Sequence, residues 1–200
     1  MDKPRLSLGI LKKESQDFAE KETKYRASSL FGVTDGKAIG TYVEHKFRAY
    51  LREKYDFKES TSASGIDFPE LEVDIKVTSA KQPQSSCPYQ SARQKIYGLG
   101  YSLLVFVYEK IDDPQTSTGN LNIFRVIFVH KEQTGDFQTT SGLRRILENE
   151  GNKEDILAFL EERMLPVDEI QALSLAEEIL ANPPKVCYLT ISNALQWRLQ

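Results

Sequence analysis

The seven residues Leu71-Glu72-Val73-Asp74-Ile75-Lys76-Val77 alternate strictly between apolar and charged side chains. Side chains of a β-strand point alternately to the two faces of its sheet, so this pattern predicts a strand with one apolar face. Asp74 and Lys76 then share the other face, about 7 Å apart along a strand that rises ~3.3 Å per residue. The strand therefore presents a carboxylate and an ammonium group at one edge of a sheet.

The segments on both sides of this strand predict an α/β fold with a mixed central β-sheet flanked by helices. Upstream, apolar residues recur every three or four positions between 37 and 55, which indicates an amphipathic helix. Downstream we predict, in order, a short helix over 89–97, strands over 101–108 and 121–130, helices over about 143–164 (with a possible break at Gly151) and 167–180, a strand over 186–191, and a final short helix that carries Trp197.

Composition excludes several classes of protein. The chain has 200 residues, of which 40% are hydrophobic and 28% are charged, and these proportions are those of a folded globular protein. No apolar run approaches the ~18 residues needed to span a bilayer, and the N-terminus lacks the apolar stretch of a signal peptide, so we expect a cytoplasmic protein. The net charge of −3 gives no global attraction to nucleic acid. Such a function would need a local patch.

A second aspartate precedes the strand. Six residues separate Asp67 from Asp74, and Phe68-Pro69-Glu70 can turn the chain back so that the two carboxylates face each other. Mg²⁺ keeps several waters and usually takes one or two protein carboxylates, so both aspartates and the Ile75 carbonyl would suffice to bind it. Lys76 could then orient the attacking water, help it lose a proton, or neutralise charge that develops on a phosphate.

With this spacing, the sequence resembles the PD-(D/E)XK nuclease superfamily, and more narrowly its type II restriction endonucleases. The resemblance implies that Asp67 is the metal-ligand aspartate, Asp74 the second acidic ligand and Lys76 the catalytic lysine. The six-residue gap is also similar to that of nicking endonucleases of mismatch repair. One departure is that Ile66 replaces the proline usually found before the first aspartate, while Pro69 lies two positions beyond it.

The resemblance extends from about 37 to 110. An acidic residue of the preceding helix often completes the metal site in this superfamily, and Glu44 occupies the matching place. The resemblance therefore implies a metal-ligand set of Glu44, Asp67, Asp74 and the Ile75 carbonyl. A length of 200 residues fits one domain of ordinary size, so we predict a single nuclease domain over 1–200, with an N-terminal helical arm over 1–36, a catalytic core over 37–110 and further strands and helices over 111–200.

A polar, acid-free segment follows the strand. No Asp or Glu occurs from 77 to 108, so this surface would not repel phosphates, although a buried strand over 101–108 would lack acids in any case. Arg, Lys and Gln side chains can also pair with base edges in the major groove. We predict DNA contacts from Lys81, Gln82, Gln84, Ser85, Ser86, Tyr89, Gln90, Arg93, Gln94 and Lys95.

Each of these residues also has a purely structural interpretation. Asp67 could cap a turn, and Asp74 with Lys76 could form a charge pair on a solvated strand face. Glu44 could pair with Arg48 one helical turn away, a contact worth only ~0.2–0.5 kcal/mol.

Three functions remain open at this point. The first is a Mg²⁺-dependent, sequence-specific endonuclease that cuts double-stranded DNA, acts as a homodimer on a palindromic site and, by resemblance, leaves a 5′-phosphate. The second is a nicking repair endonuclease or a structure-specific resolvase of the same fold. The third is a catalytically silent module that binds DNA or protein.

Overall fold

A computed structural model of the chain describes residues 3–58, 65–81, 84–86, 89–193 and 196–199, with the backbone alone for 84–86, 191–193 and 196–199. The helices are α1 (Leu8–Thr23), α2 (Gly36–Lys54), α3 (Ala92–Tyr97), α4 (Phe137–Glu148), α5 (Lys153–Glu162) and α6 (Glu169–Ala181). The strands are β1 (Arg26–Ala27), β2 (Val73–Ser79), β3 (Gln84–Ser86), β4 (Ser102–Asp113), β5 (Thr118–Val129), β6 (Leu189–Asn193) and β7 (Gln196–Leu199).

The chain divides into two compact units, Met1–Ser85 with Leu103–Phe128, and Ser86–Ser102 with Val129–Gln200. The first unit contains a mixed four-stranded sheet in the order β1-β5-β4-β2, flanked by α1 and α2. This arrangement confirms the predicted α/β class. The single nuclease domain over 1–200 stays a prediction.

An aromatic cluster fixes α2 on the sheet of the first unit. Phe47 of α2 is fully buried, and its ring centroid lies 5.0 Å from that of Phe18 in α1 and 5.2 Å from that of Phe106 in β4. Such ring pairs stabilise a fold by more than the burial of their apolar area alone would. The segment predicted as an N-terminal arm therefore supplies, through α1, part of the core of this unit.

Helix α2 forms as the sequence predicts. The Asp35 side chain caps its N-terminus by accepting hydrogen bonds from two backbone N–H groups. Buried side chains recur at intervals of four residues along one face: Ile39, Val43, Phe47 and Leu51. Glu44 directly follows one of these positions, so the helix holds it half-buried at the edge of its apolar face.

The second unit is mainly helical. Its core contains apolar side chains from α3, α4, α5 and α6, including Ile96, Leu143, Leu160 and Ile179. Strands β3, β7 and β6 form a three-stranded sheet in that order, with β6 antiparallel to β7. The break predicted at Gly151 is confirmed, since α4 ends at Glu148 and α5 begins at Lys153. None of the helices in the described part of the chain combines the length and the apolar character of a membrane-spanning segment.

The predicted C-terminal helix is wrong. Trp197 lies in strand β7 and pairs with Ile191 of β6 in the antiparallel register. Four residues are too few for a stable helix, whereas Gln196-Trp197-Arg198-Leu199 alternates polar and apolar side chains, the period of a strand. Backbone pairing with β6 supplies the hydrogen bonds that an isolated strand would lack.

Candidate active site

A tight turn before β2 brings Asp67 opposite Asp74. The N–H of Phe68 donates to the carbonyl of Val73 at 2.9 Å, and the N–H of Val73 donates back at 3.2 Å. A short 3-10 helix that begins at Pro69 lies between them. Residues that flank such an antiparallel bridge face each other. The predicted reversal of the chain is therefore confirmed.

Both carboxylate oxygens of Asp67 have partners. Oδ2 accepts a hydrogen bond from the backbone N–H of Ile75 at 2.8 Å. Oδ1 lies 3.5 Å from a guanidinium nitrogen of Arg48, which reaches it from α2. The Asp67 side chain is 13% exposed. The carboxylate is thus oriented by strand β2 on one side and by helix α2 on the other.

Asp74 and Lys76 form the ion pair that their shared strand face allows. Nζ of Lys76 lies 2.7 Å from Oδ2 of Asp74, and the Asp74 side chain is only 8% exposed. Burial raises the pKa of Asp74 to about 6; the ammonium of Lys76 opposes this shift, and the carboxyl of Asp67 adds to it. Two carboxyl groups therefore crowd one another beside a single ammonium group.

Glu44, on α2, interacts electrostatically with Asp67, Asp74 and Lys76. Burial, followed by the negative charge of Asp67, raises the pKa of Glu44 to about 7, whereas Lys76 and Arg48 lower it. The alternative interpretation, a pair with Arg48, is also present, although the closest oxygen and nitrogen are 3.9 Å apart. We call Glu44, Asp67 and Asp74 the carboxylate cluster. The structure brings all three predicted acidic residues within electrostatic reach of one another.

The chemistry of the carboxylate cluster fits a divalent cation. Within the part of the chain that the structure describes, no group of three or more His, Cys, Asp or Glu side chains is arranged to hold a metal ion. Mg²⁺ needs only one or two carboxylates besides water and phosphate oxygens. Burial is the main cause of the raised pKa values of Glu44 and Asp74, and the negative charge of Asp67 adds to both shifts. A divalent cation would stabilise the ionised carboxylates against both effects.

Comparison with known proteins decides the family. Residues 5–200 match the family described as "Type II restriction enzyme NspV". The curated Type II restriction enzyme NspV from Nostoc sp. (strain ATCC 29411 / PCC 7524) is 60% identical over 195 residues, which cover 98% of this chain and 89% of that protein. The chain belongs to the NspV family of type II restriction enzymes. The predicted class of enzyme, a type II site-specific endonuclease of a restriction system, is thereby confirmed. Among solved structures, none matches this chain.

The acid-free segment of this member of the NspV family is described in part. Lys81 is exposed in the turn that follows β2, whereas Gln82 lies outside the described residues. Strand β3 consists of Gln84, Ser85 and Ser86, for which the structure describes the backbone and not the side chains. The Tyr89 hydroxyl donates to the carbonyl of Thr134 at 2.9 Å, so this hydroxyl has a structural partner.

Around α3 the predicted DNA-contacting side chains have partners of their own. Arg93 forms a two-bond ion pair with Glu178 of α6, with a shortest contact of 2.6 Å. The side-chain oxygen of Gln94 accepts from the backbone N–H of Gln90 at 2.7 Å. Gln90 itself is exposed, and Lys95 is half-buried. The predicted role of these residues in DNA binding stays a prediction, and at Arg93 the carboxylate of Glu178 would compete with DNA for the guanidinium.

Sequence reasoning missed the position of Arg48 in this enzyme. The spacing of four residues from Glu44 identified it as a helix partner and nothing more. Its contact with Asp67 joins two segments that are nineteen positions apart, and only the packing of α2 against β2 creates it.

Proposed function

We propose that this chain is a Mg²⁺-dependent endonuclease that hydrolyses phosphodiester bonds of double-stranded DNA at a specific sequence. Its 60% identity to a type II restriction enzyme supports the activity. The observation that carries the assignment to particular residues is the carboxylate cluster beside Lys76. Membership of the PD-(D/E)XK superfamily is also supported by the arrangement of Asp67 and Asp74, which face each other across a tight turn, and of Lys76, which follows Asp74 by two positions.

We propose that four groups hold the cation: the carboxylates of Asp67, Asp74 and Glu44, and the backbone carbonyl of Ile75. Once bound, it would polarise the scissile phosphate and stabilise the charge that develops on it. The hydrogen bond from Ile75 orients Asp67 before anything binds, and the turn at Pro69 keeps Asp67 beside Asp74. Such pre-ordering means that the site does not have to reorganise when DNA arrives.

Lys76 acts on the reacting groups themselves in this proposal. Its ammonium is held at the cluster by Asp74 and lies on the same face of β2. From there it can orient the attacking water and neutralise the charge on the phosphate as the water attacks in line. The expected product carries a 5′-phosphate.

DNA binding and assembly complete the proposal. The acid-free segment contributes contacts to phosphates and base edges, with Lys81, Gln90 and Lys95 among its described residues. Cutting both strands at a palindromic site requires two such clusters, so we propose a homodimer with two-fold symmetry. The cytoplasmic location stays a prediction.

Incubation of supercoiled plasmid and of genomic DNA with the purified protein and Mg²⁺ tests the activity. We expect discrete linear fragments, and we expect Asp74→Asn protein, folded and assayed in parallel, to give none. Open-circular product alone would instead select a nicking enzyme, and cutting confined to branched DNA would select a resolvase. If the protein retains DNA without Mg²⁺ and never cleaves it, the chain is a catalytically silent binding module.

A further inference from the structure

Arg48 lies beside two members of the carboxylate cluster, although it is not part of the predicted motif. One guanidinium nitrogen lies 3.5 Å from Oδ1 of Asp67 and 3.9 Å from Oε2 of Glu44. The Nε–H of Arg48 also donates to the backbone carbonyl of Glu44 at 3.4 Å, which ties the guanidinium to its own helix. Its side chain is only 19% exposed.

This position gives Arg48 a different role from Lys76. The guanidinium stays positively charged at any pH at which the protein is folded, so it offsets the repulsion between Glu44 and Asp67 permanently. Lys76 pairs with Asp74 and also acts on Glu44. The cluster therefore has two built-in counter-ions: Lys76, which is paired with Asp74, and Arg48, which lies beside Asp67 and Glu44.

We propose, on the basis of the function proposed above, that Arg48 competes with the divalent cation for the carboxylate cluster and thereby sets its metal affinity. In the metal-free protein the guanidinium holds Glu44 and Asp67 close together against their repulsion. A cation that binds the same oxygens must share them with this fixed positive charge. Arg48 is thus a positioning residue whose charge weakens metal binding by the free protein.

DNA changes this balance. A phosphate near the cluster adds negative charge, and it offers the guanidinium an alternative partner of the kind that arginine binds best. Both effects favour binding of the divalent cation to the carboxylate cluster.

Calorimetric titration of the DNA-free protein with Mg²⁺ tests the proposal without using activity. Arg48→Gln removes the charge and keeps an N–H donor on a shorter side chain, so we expect Mg²⁺ affinity to rise about tenfold. Arg48→Lys retains a positive charge, so its affinity should stay within about twofold of wild type. The matched control is Arg52→Gln, the same change at an exposed residue one turn further along α2, and it should leave the affinity unchanged.

The outcomes separate this inference from the proposed function. If wild type binds Mg²⁺ and Asp74→Asn does not, but Arg48→Gln binds with wild-type or lower affinity, the competition by Arg48 is refuted and the nuclease assignment stands. If wild type neither binds Mg²⁺ nor cleaves DNA with it, the proposed function fails. Should Arg48→Gln not fold, Arg48→Met is titrated in its place, with the same tenfold increase expected and the same result refuting it.

Discussion

The backbone N–H of Ile75 donates a hydrogen bond of 2.8 Å to Oδ2 of Asp67. This bond ties the residue before the turn to the strand after it, one position beyond Asp74. It therefore fixes the direction of the first carboxylate relative to the second. Ile75 is 1% exposed, so in the folded protein its N–H is shielded from water and the carboxylate is its partner.

Asp67→Asn separates the structural role of this side chain from its chemical role. The amide oxygen can still accept from Ile75, so we expect the fold to be retained while Mg²⁺-dependent cleavage collapses. Asp67→Ala leaves a buried N–H unpaired and should also lower the free energy of unfolding by about 1–3 kcal/mol. Urea denaturation and initial cleavage rates measure the two effects. Cleavage by Asp67→Asn at the wild-type rate would contradict the assignment of Asp67 as a metal ligand.

Lys76→Ala should abolish cleavage but not binding. It removes the ammonium and leaves both aspartates, so DNA affinity and Mg²⁺ binding should persist while the cleavage rate falls by about two orders of magnitude or more. Gel-shift and single-turnover cleavage assays check this. The matched control is Lys37→Ala, at an exposed position in the first turn of α2. Near-wild-type cutting by Lys76→Ala would remove the lysine from the reaction.

The candidate site was more predictable from the sequence than the rest of the fold, for a local reason. Alternation fixes which side chains of β2 share a face, and Pro69 at the turn places Asp67 beside Asp74; all of this lies within eleven residues. Contacts between distant segments leave no such local signal. Arg48 with Asp67, and Arg93 with Glu178, depend on how helices pack after folding. The C-terminal strand depends likewise on pairing with β6.

Glu44→Gln decides between the two interpretations of Glu44. As a surface partner of Arg48, the side chain is worth a few tenths of a kcal/mol, so cleavage across a Mg²⁺ titration would not change. As a member of the metal site, its loss should cost at least about tenfold in rate and shift the titration to higher Mg²⁺. We expect the second result, since Glu44 is half-buried and its pKa is raised first by this burial and then by the charges of Asp67 and Asp74, which lie within electrostatic reach. An unchanged curve with folded protein would exclude Glu44.

The pair formed by Arg93 and Glu178 allows a test of the DNA-contacting surface by gain of function. If Arg93 contacts phosphate, Glu178 competes with DNA for its guanidinium. Glu178→Gln should then strengthen DNA binding, whereas Arg93→Gln should weaken it and reduce the salt slope by about one. Fluorescence anisotropy at several salt concentrations measures both. Equal affinity of the two variants and wild type would assign the pair to structure alone.

Helix α1 carries two buried glutamates, and each meets a Tyr and a Lys that lie four residues apart on α2. Glu22 accepts from the Tyr42 hydroxyl at 3.0 Å and pairs with Lys46 at 2.8 Å. Glu14 accepts from the Tyr50 hydroxyl at 2.6 Å and pairs with Lys54. Additional hydrogen bonding comes from the hydroxyl of Tyr55, which also donates to Glu14. These contacts fix the register of α2, and with it the position of Glu44.

Glu14→Gln tests how much the contacts between Glu14 and α2 contribute to the free energy of unfolding. Burial alone would raise the pKa of Glu14, but hydrogen bonds from Lys54, Tyr50 and Tyr55 outweigh it and lower the pKa to about 2. Because the folded-state pKa lies below the unfolded value, the ionised carboxylate stabilises the fold above about pH 4.5, and this contribution disappears as the pH falls towards about 2. Glu14→Gln should therefore lower the free energy of unfolding by about 3 kcal/mol near neutral pH.

The pH dependence distinguishes this electrostatic contribution from a simple loss of packing. The difference between wild type and Glu14→Gln should shrink as the pH is lowered from about 4.5 to about 3, because the wild-type carboxylate then loses its advantage. Glu20→Gln is the matched control, since it is exposed on the same helix and should change stability by less than about 0.5 kcal/mol. Urea denaturation across this pH range measures both variants. An equal loss of stability at every pH would show that Glu14 acts by shape and hydrogen bonding rather than by its charge.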